Sequence, residues 1–356
     1  MSEHTWLRRR WKLVINILTL VALTAAIIFS RRQILDTIKN LGHVHAGLLL
    51  LLIPVEALND HAQARLYQGL FAIVGNKLSY KFLYRASLEL NFVNHVFPSG
   101  GVTGLSFFSL RIRKGKELTG ARATLIHLIK VSMYIVAYEV ILLFGIVALA
   151  AMGRVNNFVM LVASSLSTLL VVGTLMFFYI VGRRERINNF FTGATRGVNW
   201  LIHLVRPKYP ETINIDQARK VFDDFHDNYQ EIKQSWTKLR TPFMYSMLAD
   251  ITEIAAVYVV YMAFGEYVNI GAVILAYGIA NFAGLISVLP GGVGIYEGLM
   301  TAVLAATGIP PSVSLPVTVM YRLLNTLIQV PPGYYLYHQT IKKGGAAAGS
   351  GRSANG

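Results

Sequence analysis

Cysteine is absent from the 356 residues of this chain. Its absence excludes a disulfide framework, a thiolate nucleophile and cysteine-based zinc or iron–sulfur sites. The nine histidines include no His-Glu-x-x-His pattern, which excludes the helix of a zinc metalloprotease. A Gly-x-Ser-Gly pattern is also missing, and the sequence offers no obvious base for Ser99 or Ser106. We therefore expect no enzyme activity, no catalytic residues, no metal and no cofactor.

Charged residues are scarce as well. They make up 14% of the chain, whereas a soluble globular domain carries about 25%. Hydrophobic residues account for 54%, and the mean hydropathy is +0.48. This composition predicts an all-α protein, namely a polytopic α-helical membrane protein.

Acidic residues are the rarer charged type, with 18 against 33 lysines and arginines. The resulting net charge of +15 could suggest nucleic acid as a partner. However, the basic residues lie between apolar segments, as they do in loops that face an anionic inner leaflet. No basic and aromatic groove accompanies them, so we expect no nucleic-acid binding.

The apolar segments predict about six full membrane spans. We expect them at Leu13–Phe29, Ala46–Leu58, Ala123–Met152, Phe158–Val181, Pro242–Phe264 and Ser314–Tyr337. With the N-terminus inside, 27 of the 33 lysines and arginines fall on the cytoplasmic side. This satisfies the positive-inside rule. The sequence therefore predicts a multi-pass protein of the cell inner membrane with both termini in the cytoplasm.

A polar section, residues 182–241, separates the spans into two groups. Apolar residues recur in it at helical spacing, namely Phe222, Phe225, Tyr229 and Ile232. We predict a cytoplasmic amphipathic insert whose helices either lie on the membrane surface or pack under the bundle. The Gly/Ala/Ser tail, residues 344–356, is predicted to be disordered. Residues 1–343 are then a single transmembrane domain.

Two apolar segments are interrupted where an interruption is costly. The run from Ile270 to Ile309 contains the sequence Leu289-Pro-Gly-Gly-Val-Gly-Ile-Tyr-Glu297, and the earlier one contains Asn91 to Gly104. A broken helix frees backbone groups that lipid cannot satisfy, and a buried carboxylate adds a desolvation cost. Both costs are tolerated where the break lines a cavity inside the protein. We therefore predict two re-entrant helical hairpins.

The two interruptions resemble each other. Asn91-Phe92 followed by Pro98-Ser-Gly-Gly-Val-Thr-Gly104 parallels Asn281-Phe282 followed by Pro290-Gly-Gly-Val-Gly294. The charge count makes the first hairpin enter from the cytoplasm and the second from outside. Similar motifs on opposite topologies indicate an inverted-topology repeat. The alternative is that both are ordinary Gly/Pro breaks.

Several ionisable residues accompany the hairpins, and each allows more than one interpretation. Glu297 and Arg322 are natural partners, and three explanations of the pair are open. It forms a structural salt bridge, it forms a site for a lipid headgroup, or Glu297 couples protons. His127 and Lys130 share a helical face, which either holds phosphate or snorkels at the interface. Asp250 and Glu253 either cap their helix or receive Lys130 or Arg322.

A polar face in the second span is open to two interpretations too. Glu56, Asn59, Asp60 and Gln63 share one side of a helix by spacing. This is either a helix end at the headgroups or a polar face turned into the bundle. The predicted substrate-binding residues are Glu297, Arg322, Gly291, Gly292, Gly294, Gly100, Gly101, His127, Lys130, Asp250 and Glu253.

Three motifs resemble a known family. The Leu-Pro-Gly-Gly-Val-Gly-x-x-Glu segment at 289–297, Tyr-Arg-Leu-Leu at 321–324 and Pro-Ser-Gly-Gly-Val-x-Gly at 98–104 look like the lysylphosphatidylglycerol synthase transmembrane region, the flippase-like UPF0104 proteins. The resemblance covers about residues 10–340. It implies two hairpins in an inverted repeat and movement of a phospholipid or polyprenyl-linked headgroup between leaflets. Glu297 matches the family's hairpin glutamate, and Arg322 matches the arginine of the following helix.

The chain also departs from that family. Many members have Gly-Glu after the first hairpin glycine, where this sequence has Gly104-Leu105. They also carry Arg-x-x-Asp in the next helix, where this chain has His127 and Lys130 without the acid. A lipid transporter is the predicted function. The alternatives are a non-transporting scaffold or accessory subunit of a separate lipid synthase or glycosyltransferase and, less favoured, an intramembrane enzyme. A homo-oligomer stays open.

Overall fold

The structure is a computed structural model that describes residues 44–96, 102–113, 118–153, 155–190, 192–193, 196, 226–286 and 294–350. These residues are almost entirely helical, as the composition predicts. A single turn, Ala46–Leu49, precedes the long helices. The helices are α1 (Leu52–Ile73), α2 (Tyr80–Val96), α3 (Val102–Arg113), α4 (Gly120–Ala151), α5 (Asn157–Val181), α6 (Arg240–Ala263), α7 (Ile270–Ile286), α8 (Ile295–Ala306) and α9 (Pro311–Ser350).

Four of the described helices are long and apolar enough to cross a membrane, namely α4, α5, α6 and α9. They coincide with four of the predicted spans, so the multi-pass architecture is confirmed. The predicted first span, Leu13–Phe29, lies outside the described residues. α9 runs to Ser350 and so includes residues 344–350 of the tail predicted to be disordered.

The predicted end of the second span at Leu58 is wrong. α1 continues to Ile73 and is 22 residues long, which corresponds to about 33 Å. The sequence suggested an end there because polar residues follow, and polar residues are costly in lipid. In the structure those residues face the protein interior, so the helix has no reason to stop.

Two pairs of short helices flank the glycine-rich interruptions. α2 packs against α3, and α7 packs against α8. The connecting residues 97–101 and 287–293 lie outside the described residues. Of the five glycines predicted to bind substrate, Gly100, Gly101, Gly291 and Gly292 therefore lie outside the described part, and Gly294 lies within it.

Helices α1–α4, which we call the first half, match helices α6–α9, the second half, in order, and the first three pairs also match in length to within two residues. α2 and α7 each have 17 residues, and α3 and α8 each have 12. α2 and α7 begin 190 residues apart, at Tyr80 and Ile270, and also end 190 residues apart.

The turns that precede α2 and α7 match as well. Each contains a glycine with positive φ, Gly75 at 75° and Gly265 at 76°, which is a conformation that other residues rarely adopt. Each of these glycines donates its N–H to the carbonyl three residues earlier. The same local structure thus ends α1 and α6.

The two halves pack against each other through exchanged helices. α1 and α6 run antiparallel, since Gly69 lies against Pro242 while Asn59 bonds Thr252. α2 of the first half packs on α9 of the second, and α7 of the second packs on α4 of the first. α5 and the insert lie outside this arrangement.

The described part of the insert packs under the bundle. Residues 226–234 are helical, and Ile232 is buried in the same cluster as Val181 and Ile187. This supports packing against the bundle over lying on the membrane surface. Phe222 and Phe225 lie outside the described residues, and the side of the membrane on which the insert lies stays a prediction.

Close backbone approach holds the exchanged helices together. A Cβ built on Gly271 of α7 would lie 2.1 Å from the carbonyl oxygen of Gly145 in α4. A Cβ on Gly333 of α9 would lie 2.5 Å from the carbonyl oxygen of Leu88 in α2. The atoms that would collide belong to backbone, so they cannot move aside alone. At both crossings only glycine fits, because a side chain would collide with the facing backbone.

We predict that Gly271→Ala and Gly333→Ala each destabilise the protein by about 1–3 kcal/mol, because both overpack a helix crossing. Gly173→Ala in α5 is the matched control, since nothing lies within 4 Å of its Cβ position. It should be neutral or slightly stabilising. Thermal unfolding in detergent measures all three variants. Equal melting temperatures for the three would show that these crossings are not close-packed.

Candidate functional site

A polar cavity of about 280 Å³ lies between the two halves. Amide, hydroxyl and charged side chains line it almost exclusively. They are Gln63, Asn91, Asn94, His95, Glu253, Tyr277, Asn281, Tyr296, Tyr321, Arg322, Asn325, Thr326 and Gln329. Both halves contribute, mainly through α2, α7 and α9. Such a wall is unusual inside a bundle whose outer surface is apolar.

The ion pair of Glu297 and Arg322 stands beside this cavity. Glu297 lies in the first turn of α8 and is only 4% exposed. Its Oε2 accepts the backbone N–H of Gly294 at 2.7 Å, and its Oε1 accepts the guanidinium of Arg322. Gly294 has φ 87°, so the tight entry into α8 favours glycine. The pair thus joins the start of α8 to the middle of α9.

Arg322 is more accessible than its partner. Its side chain keeps about a fifth of its exposure and lines the cavity. Its guanidinium also lies over the ring of Tyr296, 4.8 Å from the centroid. One side of this cation is therefore paired, and another contributes to the cavity wall.

The polar face of α1 is turned into the bundle. Glu56 is 2% exposed, and Asn59, Asp60 and Gln63 are buried with it. The interpretation of this face as a helix end at the headgroups is therefore wrong. Asn59 donates to the carbonyl of Ala249 and to the hydroxyl of Thr252, both at 2.9 Å, and so ties α1 to α6.

Neutral amides satisfy the acids of that face. Glu56 accepts Asn325 and Gln329 of α9, each at 2.6 Å. Asp60 accepts Asn91 of α2 at 2.9 Å. Hydrogen-bonded amides lower the cost of burying a carboxyl group but do not supply a countercharge.

Lys130 of α4 is buried as well, with 6% exposure, so it does not snorkel. Its ammonium donates to Gln63 Oε1 at 2.9 Å and lies 4.8 Å from the ring centroids of Tyr67 and Tyr134. His127 bonds the hydroxyl of Tyr67 at 2.7 Å. Neither Lys130 nor His127 is among the residues that line the cavity.

Asp250 and Glu253 lie in the interior of α6, so their interpretation as a helix cap is wrong. Glu253 lines the cavity and accepts the hydroxyls of Tyr277 at 3.2 Å and Tyr321 at 3.0 Å. Asp250 interacts electrostatically with Lys130. Its Oδ2 is buried without a hydrogen-bond partner among the described residues.

The site residues recur with the same spacing as the helices. Asp60, Gln63 and Asn91 are followed 190 residues later by Asp250, Glu253 and Asn281. Lys130 and Arg322 stand 192 residues apart in the last helix of each half. The register of 190 residues assigns no acid to the first half at the position of Glu297, since Phe107 stands there.

Sequence reasoning missed Glu56, Asp60, Gln63 and Asn325 as site residues. The signal that could have found the first three was present. The register that aligns Asn91-Phe92 with Asn281-Phe282 also aligns Asp60 with Asp250, and extending it would have marked α1 as a counterpart of α6. For Asn325 we find no such signal.

Comparison with known proteins identifies the family. The sequence pattern of the lysylphosphatidylglycerol synthase TM region matches residues 12–333. The chain belongs to this family. The match includes the helices that build the cavity, so the fold described above is that of the family's transmembrane region.

The curated relatives are UPF0104 membrane proteins of archaea. Two of them, both from Methanothermobacter thermautotrophicus, are 29% identical over 134 residues and 31% identical over 97, covering 36% and 27% of this chain and 39% and 29% of the respective relative. One from Pyrococcus horikoshii is 21% identical over 173 residues, which is 47% of this chain and 50% of the relative. The chain thus spans half or less of each of these three relatives. One from Methanocaldococcus jannaschii is 21% identical over 323 residues, covering 90% of this chain and 92% of that protein.

We predict that Arg322→Gln destabilises the protein by about 3–5 kcal/mol, because it leaves the buried Glu297 carboxylate without its cation. The double variant Glu297→Gln/Arg322→Gln should recover much of this loss, since it removes both charges. Melting temperatures in detergent of the wild type, Glu297→Gln, Arg322→Gln and the double variant measure the coupling between the two charges.

The matched control is the exposed pair of Arg184 and Asp227, whose charged atoms lie 2.6 Å apart. Arg184→Gln should cost no more than about 1 kcal/mol. The opposite outcome is that the double variant loses as much stability as Glu297→Gln and Arg322→Gln lose in sum. That result would show that Glu297 and Arg322 act independently.

Proposed function

We propose that this protein is a lipid transporter of the flippase type, which moves an anionic phospholipid or lipid-linked headgroup between the two leaflets. The observation that carries the proposal is the polar cavity between the halves, with the guanidinium of Arg322 in its wall. A polar cavity with a guanidinium in its wall, inside an apolar bundle, is costly unless it serves a polar substrate.

The chemistry of the wall suits a phosphate. Arg322 offers planar N–H donors that match phosphate oxygens, and the amides of Asn91, Asn281 and Asn325 can add neutral donors. A volume of about 280 Å³ lies at the lower limit of small-molecule sites. We infer that the cavity holds only the headgroup while the acyl chains stay in the surrounding lipid.

The outer surface of the bundle supports a membrane setting for this cavity. Phe144 of α4 and Leu175 of α5 are 69% and 63% exposed. Further large apolar side chains are exposed on the same helices. Exposed apolar surface on this scale suits contact with acyl chains rather than with water.

We further propose that α2–α3 and α7–α8 are re-entrant hairpins that enter from opposite sides, in an inverted-topology repeat. α3 and α8, at 12 residues each, reach only about 18 Å, whereas the hydrocarbon core is about 30 Å thick. The matching helix lengths and the antiparallel contact of α1 with α6 support a two-fold relation between the halves. Such a relation would let the cavity open to each side in turn.

We predict that Glu297→Gln and Arg322→Ala each abolish lipid exchange between leaflets, because both remove the fixed charge arrangement beside the cavity. The assay uses proteoliposomes that carry a fluorescent anionic phospholipid, whose outer-leaflet pool an impermeant reagent quenches. Arg184→Ala is the control, since this arginine is exposed and distant from the cavity lining. It should transport at the wild-type rate.

The double variant Glu297→Gln/Arg322→Gln separates transport from stability. If it recovers its melting temperature and stays inactive, the pair has a role in transport beyond holding α8 to α9. If the single variants fold and move lipid normally, the transport site lies elsewhere. If the intact protein moves no lipid from a broad panel, the scaffold function is supported instead.

A further inference from the structure

We infer that four carboxyl groups between the halves bind and release protons, and that they couple lipid movement to a proton gradient. We call Glu56, Asp60, Asp250 and Glu253 the acidic core. The inference rests on the proposed transport function, whose driving force it specifies. The transported species would be an anionic lipid together with a proton taken from one side and released on the other.

The geometry of the acidic core places like charges close together. Glu56 and Asp60 lie on α1, and Asp250 and Glu253 lie on the antiparallel helix α6. Glu253 repels the carboxylates of Glu56, Asp60 and Asp250 when these are ionised. Glu56 and Asp60 are buried, and Asp250 and Glu253 are half-buried, so water screens the repulsion between them only in part.

Few positively charged groups interact with the acidic core. Lys130 interacts with Asp60, Asp250 and Glu253, and the imidazole of His95 interacts with Glu253. Arg322, the cation in the cavity wall, is paired with Glu297.

The remaining direct contacts of the acidic core are neutral. Asn325 and Gln329 contact Glu56, Asn91 contacts Asp60, and the hydroxyls of Tyr277 and Tyr321 contact Glu253. Full ionisation would therefore leave excess negative charge in the bundle interior. A buried ion without a partner costs several kcal/mol, so some of the four groups hold protons.

The unpartnered oxygen of Asp250 fits this view. Its Oδ2 is buried without a hydrogen-bond partner among the described residues, which is costly for an ionised oxygen but less so for a protonated one. The amide of Gln329, itself 3% exposed, also leaves its Oε1 without a partner there.

Glu253 connects the acidic core to the substrate. It lines the same cavity as Arg322, so a lipid phosphate that enters adds negative charge beside it. The phosphate then favours proton binding to the acidic core, and by linkage a bound proton favours the phosphate to the same degree. Such reciprocity makes lipid anion and proton move in the same direction.

The test imposes pH gradients of either sign on proteoliposomes that contain the full chain and a fluorescent anionic phospholipid. The lipid should move faster away from the acidic side, and the rates for the two gradient directions should differ by about tenfold. Glu253→Gln should lose this dependence on the gradient. Glu231→Gln, which changes an exposed carboxylate of the insert, should keep the wild-type response.

A second measurement does not depend on transport. Infrared difference spectra of the purified protein across pH should show the C=O band of a protonated carboxyl group that titrates. Asp250→Asn and Glu253→Gln should remove part of this band. An amide resembles a protonated carboxyl in size and charge, so we expect both variants to fold.

The two measurements separate the possible failures. If lipid moves at the same rate in both gradient directions and no titrating band is found, the coupling inference is wrong while the transport function stands. If the band titrates but none of a broad panel of lipids is moved, proton binding stands and the proposed function fails. If Glu253→Gln does not fold, the wild-type response to the gradient and the infrared spectrum of Asp250→Asn test the coupling inference instead.

Discussion

The contact between α1 and α6 is the constraint on which the rest of the structure depends. Both helices carry acidic and other polar side chains on faces that would otherwise lie in apolar surroundings, which cannot satisfy such groups. The two helices therefore face each other, and Asn59 bonds across them to Ala249 and Thr252. Helices α2, α4, α7 and α9 pack around this polar seam. Its polar groups are satisfied largely by partners from α2, α4, α7 and α9, and this explains why the second helix of each half packs on the last helix of the other.

The cavity follows from that arrangement. Where α2, α7 and α9 meet beside the seam, their polar side chains are not all needed for pairing, and space remains between them. The ion pair of Glu297 and Arg322 fixes the start of α8 to α9 at the edge of this space. Because the first half has Phe107 where the second has Glu297, its cation, Lys130, contacts the acidic seam instead of forming a local pair. The two halves share a fold and differ in their charges.

Much of the fold could be predicted from the sequence, because apolar runs of membrane length are strong signals. The helices α4, α5, α6 and α9 lie where the hydropathy predicts them. The length of α1 is underestimated, because hydropathy places polar residues outside the membrane. It carries no information on the partners of Glu56 and Asp60. The partnership of Glu297 with Arg322 was foreseeable, as two opposite charges at membrane depth must be compensated. The partners of Lys130 and Glu56 were not, because they depend on how helices far apart in the chain cross.

The central claim is that the headgroup of a lipid passes through the cavity between the halves. The most direct measurement is photo-crosslinking of an anionic phospholipid with a photoreactive headgroup in native-like bilayers, with the adducts mapped by mass spectrometry. The account predicts adducts on cavity residues such as Asn94, Asn281 and Thr326, and their reduction by excess unlabelled anionic lipid. Adducts confined to outward-facing residues such as Phe144 and Leu175 would contradict it.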